Sequence, residues 1–258
     1  MKLQHLVGRV VLLTNSCTAM GKALSLRLGM AGASVMIADP DNEQLTKSAE
    51  FLKENGVEVH AASGINALKD VRERSELLKK TIETYGQVDS LILCMGNNET
   101  QGDLMMARDD DFNDMLEKYL RIPFSLCQKA APYLEKSSNG SILFITSVAG
   151  FTPFLGLGLY SITQSAVLGM CKALNLSLAK RGVRVNSLST GMIGGDGSGA
   201  LWDNATEEEQ RELSGVIPLG RIGKPTDCCG LAEFLIGDGA RYISGENLIV
   251  GGGMNVRF

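Results

Sequence analysis

Short apolar runs alternate with amphipathic stretches along most of the chain, and this alternation predicts repeated strands and helices. The apolar runs are short and are bounded by glycine or polar clusters, which favours buried strands over buried helices. The predicted strands are 9–14, 33–39, 57–62, 89–96, 140–147, 183–189 and 247–253. The predicted helices are 19–31, 41–55, 67–85, 109–135, 160–181, 206–214 and 226–237.

Apolar strands joined by helical crossovers are typical of a parallel sheet that is covered by helices on both faces. We therefore predict an α/β fold, a single-domain Rossmann-type doubly wound parallel sheet flanked by helices. No linker, repeat or low-complexity tract divides the chain, so we expect one domain over 1–258. A ligand of such a fold is expected at the carboxyl ends of the strands.

Composition argues against several classes of function. A formal net charge of −4 and a pI near 5.4 do not indicate a basic surface that would attract nucleic-acid phosphates, so we expect no nucleic-acid partner. No apolar stretch approaches the ~20 residues of a membrane span, so we expect no membrane partner. Neither of the two histidines, His5 and His60, lies at a metal-ligand spacing from a cysteine, so no metal site is expected.

Cysteine usage and the chain ends bear on the compartment. The cysteines form no CxxC pair and lie in apolar segments, which is typical of reduced core thiols and suits a reducing compartment. They stand at 17, 94, 127, 171, 228 and 229. The N-terminal run MKLQHLVGRVVLLT is read as a strand because no h-region or cleavage site follows it, and the C-terminal NVRF is unlike the peroxisomal SKL tripeptide. A cytoplasmic location is the default expectation.

The first strand runs into the turn TNSCTAMG, residues 14–21, which opens a helix. A turn of this kind is expected to hold a pyrophosphate at the helix N-terminus, where glycines allow close backbone approach. Only Gly21 of the expected glycines is present. Asp39 ends the second predicted strand and suits a ribose 2′-hydroxyl, whereas it would repel a 2′-phosphate. The alternative is that Asp39 and Asp41 simply start the next turn and helix.

Several C-terminal motifs give the chain a family resemblance. Ser147 lies thirteen residues before Tyr160, and the motifs RVNSLSTG (184–191), PLGRIGKPTDCCGLAEFL (218–235) and YISGENLIVGGG (242–253) follow. With the alternating elements, these motifs resemble the short-chain dehydrogenase/reductase superfamily over nearly the full chain. The 218–253 stretch and the Leu-Trp loop near 201 resemble its NADP-dependent carbonyl and retinal reductases. That subgroup adds the peroxisome and the mitochondrion as alternative locations.

The resemblance implies a catalytic set that this chain keeps only in part. The serine and the tyrosine of the family are matched by Ser147 and Tyr160. The lysine of the family falls on Gln164, and the asparagine that orients the lysine falls on Tyr119. The implied reaction moves a hydride to or from nicotinamide while the tyrosine exchanges a proton with the oxygen of a small carbonyl or alcohol substrate.

The cofactor positions carried over from the family are partly altered. Asn15 replaces the first glycine of the turn, and Asn tolerates a positive φ, so the turn can survive there. Ala19 replaces the second glycine and places a methyl where the backbone approaches phosphate. Gly64 stands where the family has its adenine-contacting acid, and Thr190 replaces a proline. The implied cofactor-binding residues are Asn15, Ser16, Met20, Gly21, Asp39, Ile65, Gly96, Gly191 and Ile193.

The altered positions affect the chemistry directly. The pKa of a free tyrosine is about 10, and a neighbouring lysine stabilises the tyrosinate by its positive charge. Gln164 can donate a hydrogen bond to a ribose but carries no charge. Tyr160 as a neutral phenol can still donate a proton, so slow reduction remains open, while alcohol oxidation should suffer more.

Three functions follow from this pattern. The first is a catalytically impaired protein that keeps the fold for binding or assembly, and this is the reading we favour. The second is an active NAD(P)(H)-dependent carbonyl reductase that uses Tyr160 and Ser147. The third is a dinucleotide sensor without turnover. Any cofactor is expected to be NAD(H) rather than NADP(H), because of Asp39, and no cofactor at all is the alternative.

The resemblance also implies self-association and a substrate loop. Family members pair through two long helices, here near 109–135 and 160–181, and through the last strand and its helix, so we expect a homotetramer or a homodimer. The substrate loop is expected at about 192–217.

Each singled-out residue also has a plainer structural interpretation. Ser147 and Tyr160 can be ordinary residues whose spacing is inherited, and Gln164 can be a solvated helix residue. Tyr119 can fill a helix interface or occlude the relay space. The methionines at 105, 106 and 192 can line an apolar pocket or simply pack. The acidic runs 109–111 and 207–209 are read as helix starts, the second as a capping box with Thr206.

Overall fold

Seven parallel strands form one sheet in the order β3-β2-β1-β4-β5-β6-β7. The structure is a computed structural model that describes residues 5–63, 70–95, 102–195 and 205–255. The strands are β1 (Val10–Thr14), β2 (Ser34–Ala38), β3 (Val59–Ala61), β4 (Ser90–Cys94), β5 (Gly140–Ser147), β6 (Val183–Thr190) and β7 (Asn247–Val250). The predicted parallel, doubly wound sheet is confirmed.

Helices cover both faces of the sheet. They are α1 (Ala19–Met30), α2 (Asn42–Glu54), α3 (Val71–Tyr85), α4 (Asp109–Leu116), α5 (Ile122–Leu134), α6 (Gly158–Leu178), α7 (Glu207–Gly215) and α8 (Pro225–Ile236). Alternate residues of a strand point to opposite faces. Thus Leu12 packs with the core under α3, α5 and α6, while Val11 and Leu13 pack with the core under α1 and α8.

The predicted helix 109–135 is interrupted in the structure. A π-helical turn, Glu117–Arg121, separates α4 from α5, and the Ile122 N–H donates to the Glu117 carbonyl. Pro123 follows directly and has no N–H to continue the regular helical ladder. The single continuous helix of the prediction was therefore wrong at this point, and the turn carries Tyr119.

Helix starts follow the capping rules that the sequence suggests. Thr206 accepts from the Glu209 N–H, and Glu209 accepts from the Thr206 N–H, so the expected capping box is present. The acidic run 109–111 forms the first turn of α4, as expected. Helix α3 begins at Val71, because Asp70 is extended and its side chain caps the helix. The predicted start at 67 lies outside the described residues.

The cysteines are all free thiols, as the sequence predicts. Five of them are buried, and Cys17 is half-buried in the turn after β1. Burial raises the pKa of Cys228 to about 12 and that of Cys171 to about 11, which keeps both protonated at neutral pH.

The amino ends of the strands carry a buried polar network. Arg184 of β6 donates to Asn139 Oδ1 at 3.0 Å and to the Leu235 carbonyl at 2.8 Å. Arg9, just before β1, donates to the Asn139 carbonyl at 2.7 Å. Asn139 in turn donates to Asp238 Oδ1 at 2.9 Å. This edge of the sheet is thus cross-linked through side chains.

The carboxyl ends of the strands form the opposite edge, where ligands of such folds bind. The strand order reverses between β1 and β4, because the crossovers from these two strands run in opposite directions. A crevice is expected at that switch point. The turn after β1, the end of β5 and the start of α6 all reach this edge.

Candidate functional site

The turn after β1 keeps the backbone shape that the sequence predicts. Among the described residues, Asn15 is the only non-glycine with a positive φ, at 49°. Thr18 caps α1, since its hydroxyl accepts from the Gly21 N–H at 3.1 Å and donates to the Asn15 carbonyl at 2.9 Å. The expectation that Asn15 preserves the turn is confirmed.

Glycine is required at one position of this turn by close packing. A Cβ on Gly21 would lie 2.5 Å from the Asn15 carbonyl oxygen and 2.6 Å from Ser16 Cα. The methyl of Ala19 faces the segment after β6, because a Cβ on Gly195 would lie 3.1 Å from Ala19 Cβ. Met20 packs against the core of that face.

Asp39 is tied to the same turn. Its Oδ2 accepts from the Cys17 N–H at 2.9 Å, and its Oδ1 accepts from the Asp41 N–H at 3.1 Å. Asp41 caps α2 by accepting from the Gln44 N–H at 3.0 Å, as the plainer interpretation of the sequence held. A carboxylate has about four acceptor sites, so these two bonds leave acceptor capacity for a ribose hydroxyl. The ribose role of Asp39 stays a prediction.

The segment after β6 lies beside β7. Gly191 donates to the Val250 carbonyl at 2.9 Å, and a Cβ on it would lie 2.6 Å from Gly251 Cα, so the two backbones require glycine there. Ile193 and Gly223 form an isolated parallel bridge, in which Gly223 bonds to the backbone of Met192 and of Gly194. The N–H and C=O of Ile193 itself therefore point away from Gly223.

Tyr160 and Ser147 are brought together at this edge. Tyr160 lies in the first turn of α6 and is 7% exposed, while Ser147 ends β5 and accepts from the Ala149 N–H at 3.1 Å. Burial raises the pKa of Tyr160 to about 12, and a hydrogen bond with Ser147 acts in the opposite direction. Their catalytic roles stay predictions.

Gln164 is completely buried, so its interpretation as a solvated helix residue was wrong. Its Oε1 accepts from the Thr146 hydroxyl at 2.6 Å. Within the described residues, its Nε2 is buried and has no hydrogen-bond partner. Buried polar atoms normally have one. This amide is therefore a donor that a ligand hydroxyl could satisfy.

Tyr119 packs directly against the predicted catalytic tyrosine. Its side chain is 1% exposed, and its ring centroid lies 5.5 Å from that of Tyr160 at an interplanar angle of 77°, an edge-to-face contact. The ammonium of Lys118 lies 5.1 Å from the Tyr119 ring centroid. A ring thus occupies the side of Tyr160 where the resemblance implies an asparagine.

A cavity of about 300 Å³ opens at the switch point between β1 and β4. Asn15, Cys94 and Met95 line its strand side, and Asp114 and Lys118 line its helix side. Sequence reasoning missed the last two, although their i,i+4 spacing places them on one helix face.

The methionines were only partly anticipated. A second cavity of about 220 Å³ is lined by Met192, Ile193 and the loop at 217–223. Met105 and Met106 line neither described cavity and are 85% and 78% exposed, so the packing interpretation was wrong for both. They lie in a short, mostly exposed 3₁₀ turn, Leu104–Met106.

Some predicted positions lie outside the described residues. These are Gly64, Ile65, Gly96 and the part of the expected substrate loop at 196–204, which includes the Leu-Trp pair near 201. Across the residues that are described, no helix is long and apolar enough to cross a membrane. The same residues contain no cluster of histidine, cysteine and acidic side chains that could hold a metal ion.

Comparisons with known proteins define the class. A family model described as enoyl-(acyl carrier protein) reductase matches residues 16–255. The chain is 30% identical to dehydrogenase/reductase SDR family member 4 of Oryctolagus cuniculus over 96% of this chain and 94% of that protein. The human protein of the same name is 30% identical over 96% of this chain and 88% of its own length.

Solved structures agree with this assignment. A short-chain dehydrogenase/reductase from Serratia marcescens superposes with a TM-score of 0.87 at 25% identity, over 98% of this chain and 100% of that one. A 7α-hydroxysteroid dehydrogenase solved with NADH and 7-oxo glycochenodeoxycholic acid gives 0.88 at 26% identity, over 98% and 96% of the two chains. The chain belongs to the short-chain dehydrogenase/reductase family of oxidoreductases.

The described residues include one group that favours a bound dinucleotide and one that opposes it. The buried amide of Gln164, one helical turn after Tyr160, is a donor without a partner among the described residues. At the switch point, by contrast, the side chain of Asn15 stands where the resemblance implies a glycine. The Asn15 amide thus lies in the crevice that a dinucleotide on such a sheet crosses.

Proposed function

We propose that this protein is a family member with weak or absent hydride transfer, which keeps its fold for binding or assembly. The observation that carries the proposal is the surroundings of Tyr160. The phenol is buried, the ring of Tyr119 packs on it, and the neutral Gln164 holds the position of the lysine.

A buried phenol with a raised pKa is a poor proton-transfer group at neutral pH. General acid–base groups work best when their pKa lies near the working pH, and such catalysis contributes about 10²–10⁴-fold. The pKa of Tyr160 is raised to about 12, chiefly by burial. Gln164 supplies no positive charge that would lower it. Alcohol oxidation, which needs the tyrosinate, is expected to suffer more than carbonyl reduction.

Tyr119 makes a simple repair insufficient. A lysine at 164 would place an ammonium in a fully buried position, where a charge is costly unless polar partners surround it. The ring of Tyr119, which packs on Tyr160 one helical turn from Gln164, stands where the resemblance implies an amide. Restoring Tyr119→Asn together with Gln164→Lys supplies both the charge and a polar partner.

An active NAD(P)(H)-dependent carbonyl reductase is the second candidate. The hydrogen bond between Ser147 and Tyr160 favours it, since it keeps a hydroxyl pair that can hold a carbonyl oxygen. The relatives named dehydrogenase/reductase also favour it. Under this hypothesis the substrate is a small carbonyl or alcohol, and Asp39 selects NAD(H) over NADP(H) by repelling a 2′-phosphate.

A dinucleotide sensor is the third candidate. It would be distinguished from the other two by binding a dinucleotide without turning over a substrate.

Turnover of an aromatic ketone and a dicarbonyl, with NADH and with NADPH, tests the proposal. We expect the wild-type protein to remain near background. The double variant Gln164→Lys/Tyr119→Asn should be faster by at least about tenfold, within the range of acid–base assistance. Gln44→Lys, on the exposed surface of α2, is the matched control and should change nothing. Wild-type turnover well above background that disappears in Tyr160→Phe would establish the reductase instead.

A further inference from the structure

At the end of β1, the backbone and a side chain make hydrogen bonds to two different neighbouring strands. Its backbone turns toward β2, because the Ser16 N–H donates to the Ala38 carbonyl at 3.2 Å. The side chain of Asn15 reaches the other way, and its Nδ2 donates to the Cys94 carbonyl of β4 at 2.5 Å. One residue therefore connects the two sides of the switch point.

This connection lies across the ligand crevice. The backbone pairing of β1 with β4 ends at Thr14 and Leu93, so the Asn15–Cys94 bond extends the contact beyond the paired strands by means of a side chain. Asn15 and Cys94 both line the cavity at this point. A dinucleotide on a doubly wound sheet crosses this same crevice.

We infer that Asn15 is a clasp across the switch point and sets the dinucleotide affinity of this chain. The amide bonded to Cys94 lies in the crevice, and a dinucleotide has to displace that bond in order to bind. This goes beyond the proposed function, because the altered proton relay limits the chemistry whereas the clasp limits binding.

The backbone at Asn15 makes the inference testable without damage to the turn. Its φ of 49° lies in the left-handed region, which glycine adopts at no steric cost. Asn15→Gly thus removes the amide and keeps the turn. Asn55→Gly is a matched control, since the Asn55 amide also donates to a backbone carbonyl, that of Phe51 at 2.8 Å, at the end of α2.

The experiment is calorimetric titration of NADH into the wild-type protein and the two glycine variants. We expect Asn15→Gly to bind NADH at least about tenfold more tightly than wild type, and Asn55→Gly to match wild type. A smaller gain, no gain or a loss in Asn15→Gly overturns the inference, as does an equal gain in Asn55→Gly.

Folding and function are kept separate in this test. Thermal unfolding without ligand establishes that each variant is folded. If Asn15→Gly is unfolded, the same NADH titration is made with Asn15→Ala, which also lacks the amide. The binding result is independent of turnover. Wild-type turnover would contradict the proposed function, whereas an unchanged NADH affinity in Asn15→Gly would contradict only the clasp.

Discussion

Tyr160 is buried beside the Ser147 hydroxyl and the Tyr119 ring, and this burial is the main cause of its raised pKa. Ser147 hydrogen-bonds to it, Tyr119 packs on it, and Gln164 follows one helical turn later. A raised pKa means that the folded state holds this proton more tightly than the unfolded state does. The stability that it contributes is present below about pH 10 and is lost as pH rises through about 12.

Tyrosine absorbance therefore offers a direct check on Tyr160. We expect alkaline titration of the wild-type protein to include a component near pH 12 that Tyr160→Phe lacks. If Tyr160→Phe instead lost a component near 10, the buried, uncharged surroundings described for Tyr160 would be incorrect.

Residue-scale predictions from the sequence succeeded where they depended on local backbone chemistry. The positive φ at Asn15 follows from the tolerance of Asn for that region, and the Thr206 box follows from capping. The burial of Gln164 could also have been read from the sequence, because it shares the helical face of Tyr160, Val167 and Cys171. The Asn15–Cys94 bond could not, since it joins strands 79 residues apart.

At the scale of elements, the π-helical turn between α4 and α5 positions the altered site. It carries Tyr119 inward and Glu117 toward α3, where Glu117 accepts from Arg74 at 3.0 Å. Arg74 is 1% exposed, so this ion pair is largely buried on the arginine side. The sequence predicted one long helix because hydrophobic periodicity does not reveal how the chain accommodates the missing N–H of Pro123.

Removing the acid of this pair is expected to destabilise the fold. Breaking a buried ion pair costs roughly 3–5 kcal/mol, and because Arg74 has further interactions we expect Glu117→Ala to lie near the low end, about 3 kcal/mol. Urea unfolding measures the change. Glu43→Ala, which breaks an exposed pair with Lys47, should change the free energy of unfolding by less than about 0.5 kcal/mol. Equal effects of the two variants would contradict a special role for the π-helical turn.

For the whole molecule, the layer order and the parallel sheet were predictable because alternation of strand and helix allows few topologies.

Self-association depends on surfaces that one chain does not cover. Helices α5 and α6 expose apolar side chains, among them Phe124 at 42%, Ile162 at 44% and Leu176 at 79%. These are the helices through which we propose that the chain forms a homodimer or homotetramer.

A charge on this surface should weaken the assembly. We expect Leu176→Glu to raise the dissociation constant by at least about tenfold, because an unpaired carboxylate would be buried in an apolar interface. Light scattering over a dilution series measures the assembly. Phe51→Glu, on α2 at another surface, is the control and should leave it intact. A wild-type protein that is monomeric at all concentrations would contradict the pairing.

The network of Arg9, Asn139 and Arg184 lies at the edge of the sheet opposite the crevice, so the contacts that secure the strands are remote from those that would meet a ligand. Substitutions at Asn15, which is only half-buried at the crevice, can then accumulate with little loss of the framework, whereas Tyr119 and Gln164 are fully buried and tolerate few replacements. Of these positions, Asn15 is therefore the one at which evolution can alter ligand binding without first unfolding the chain.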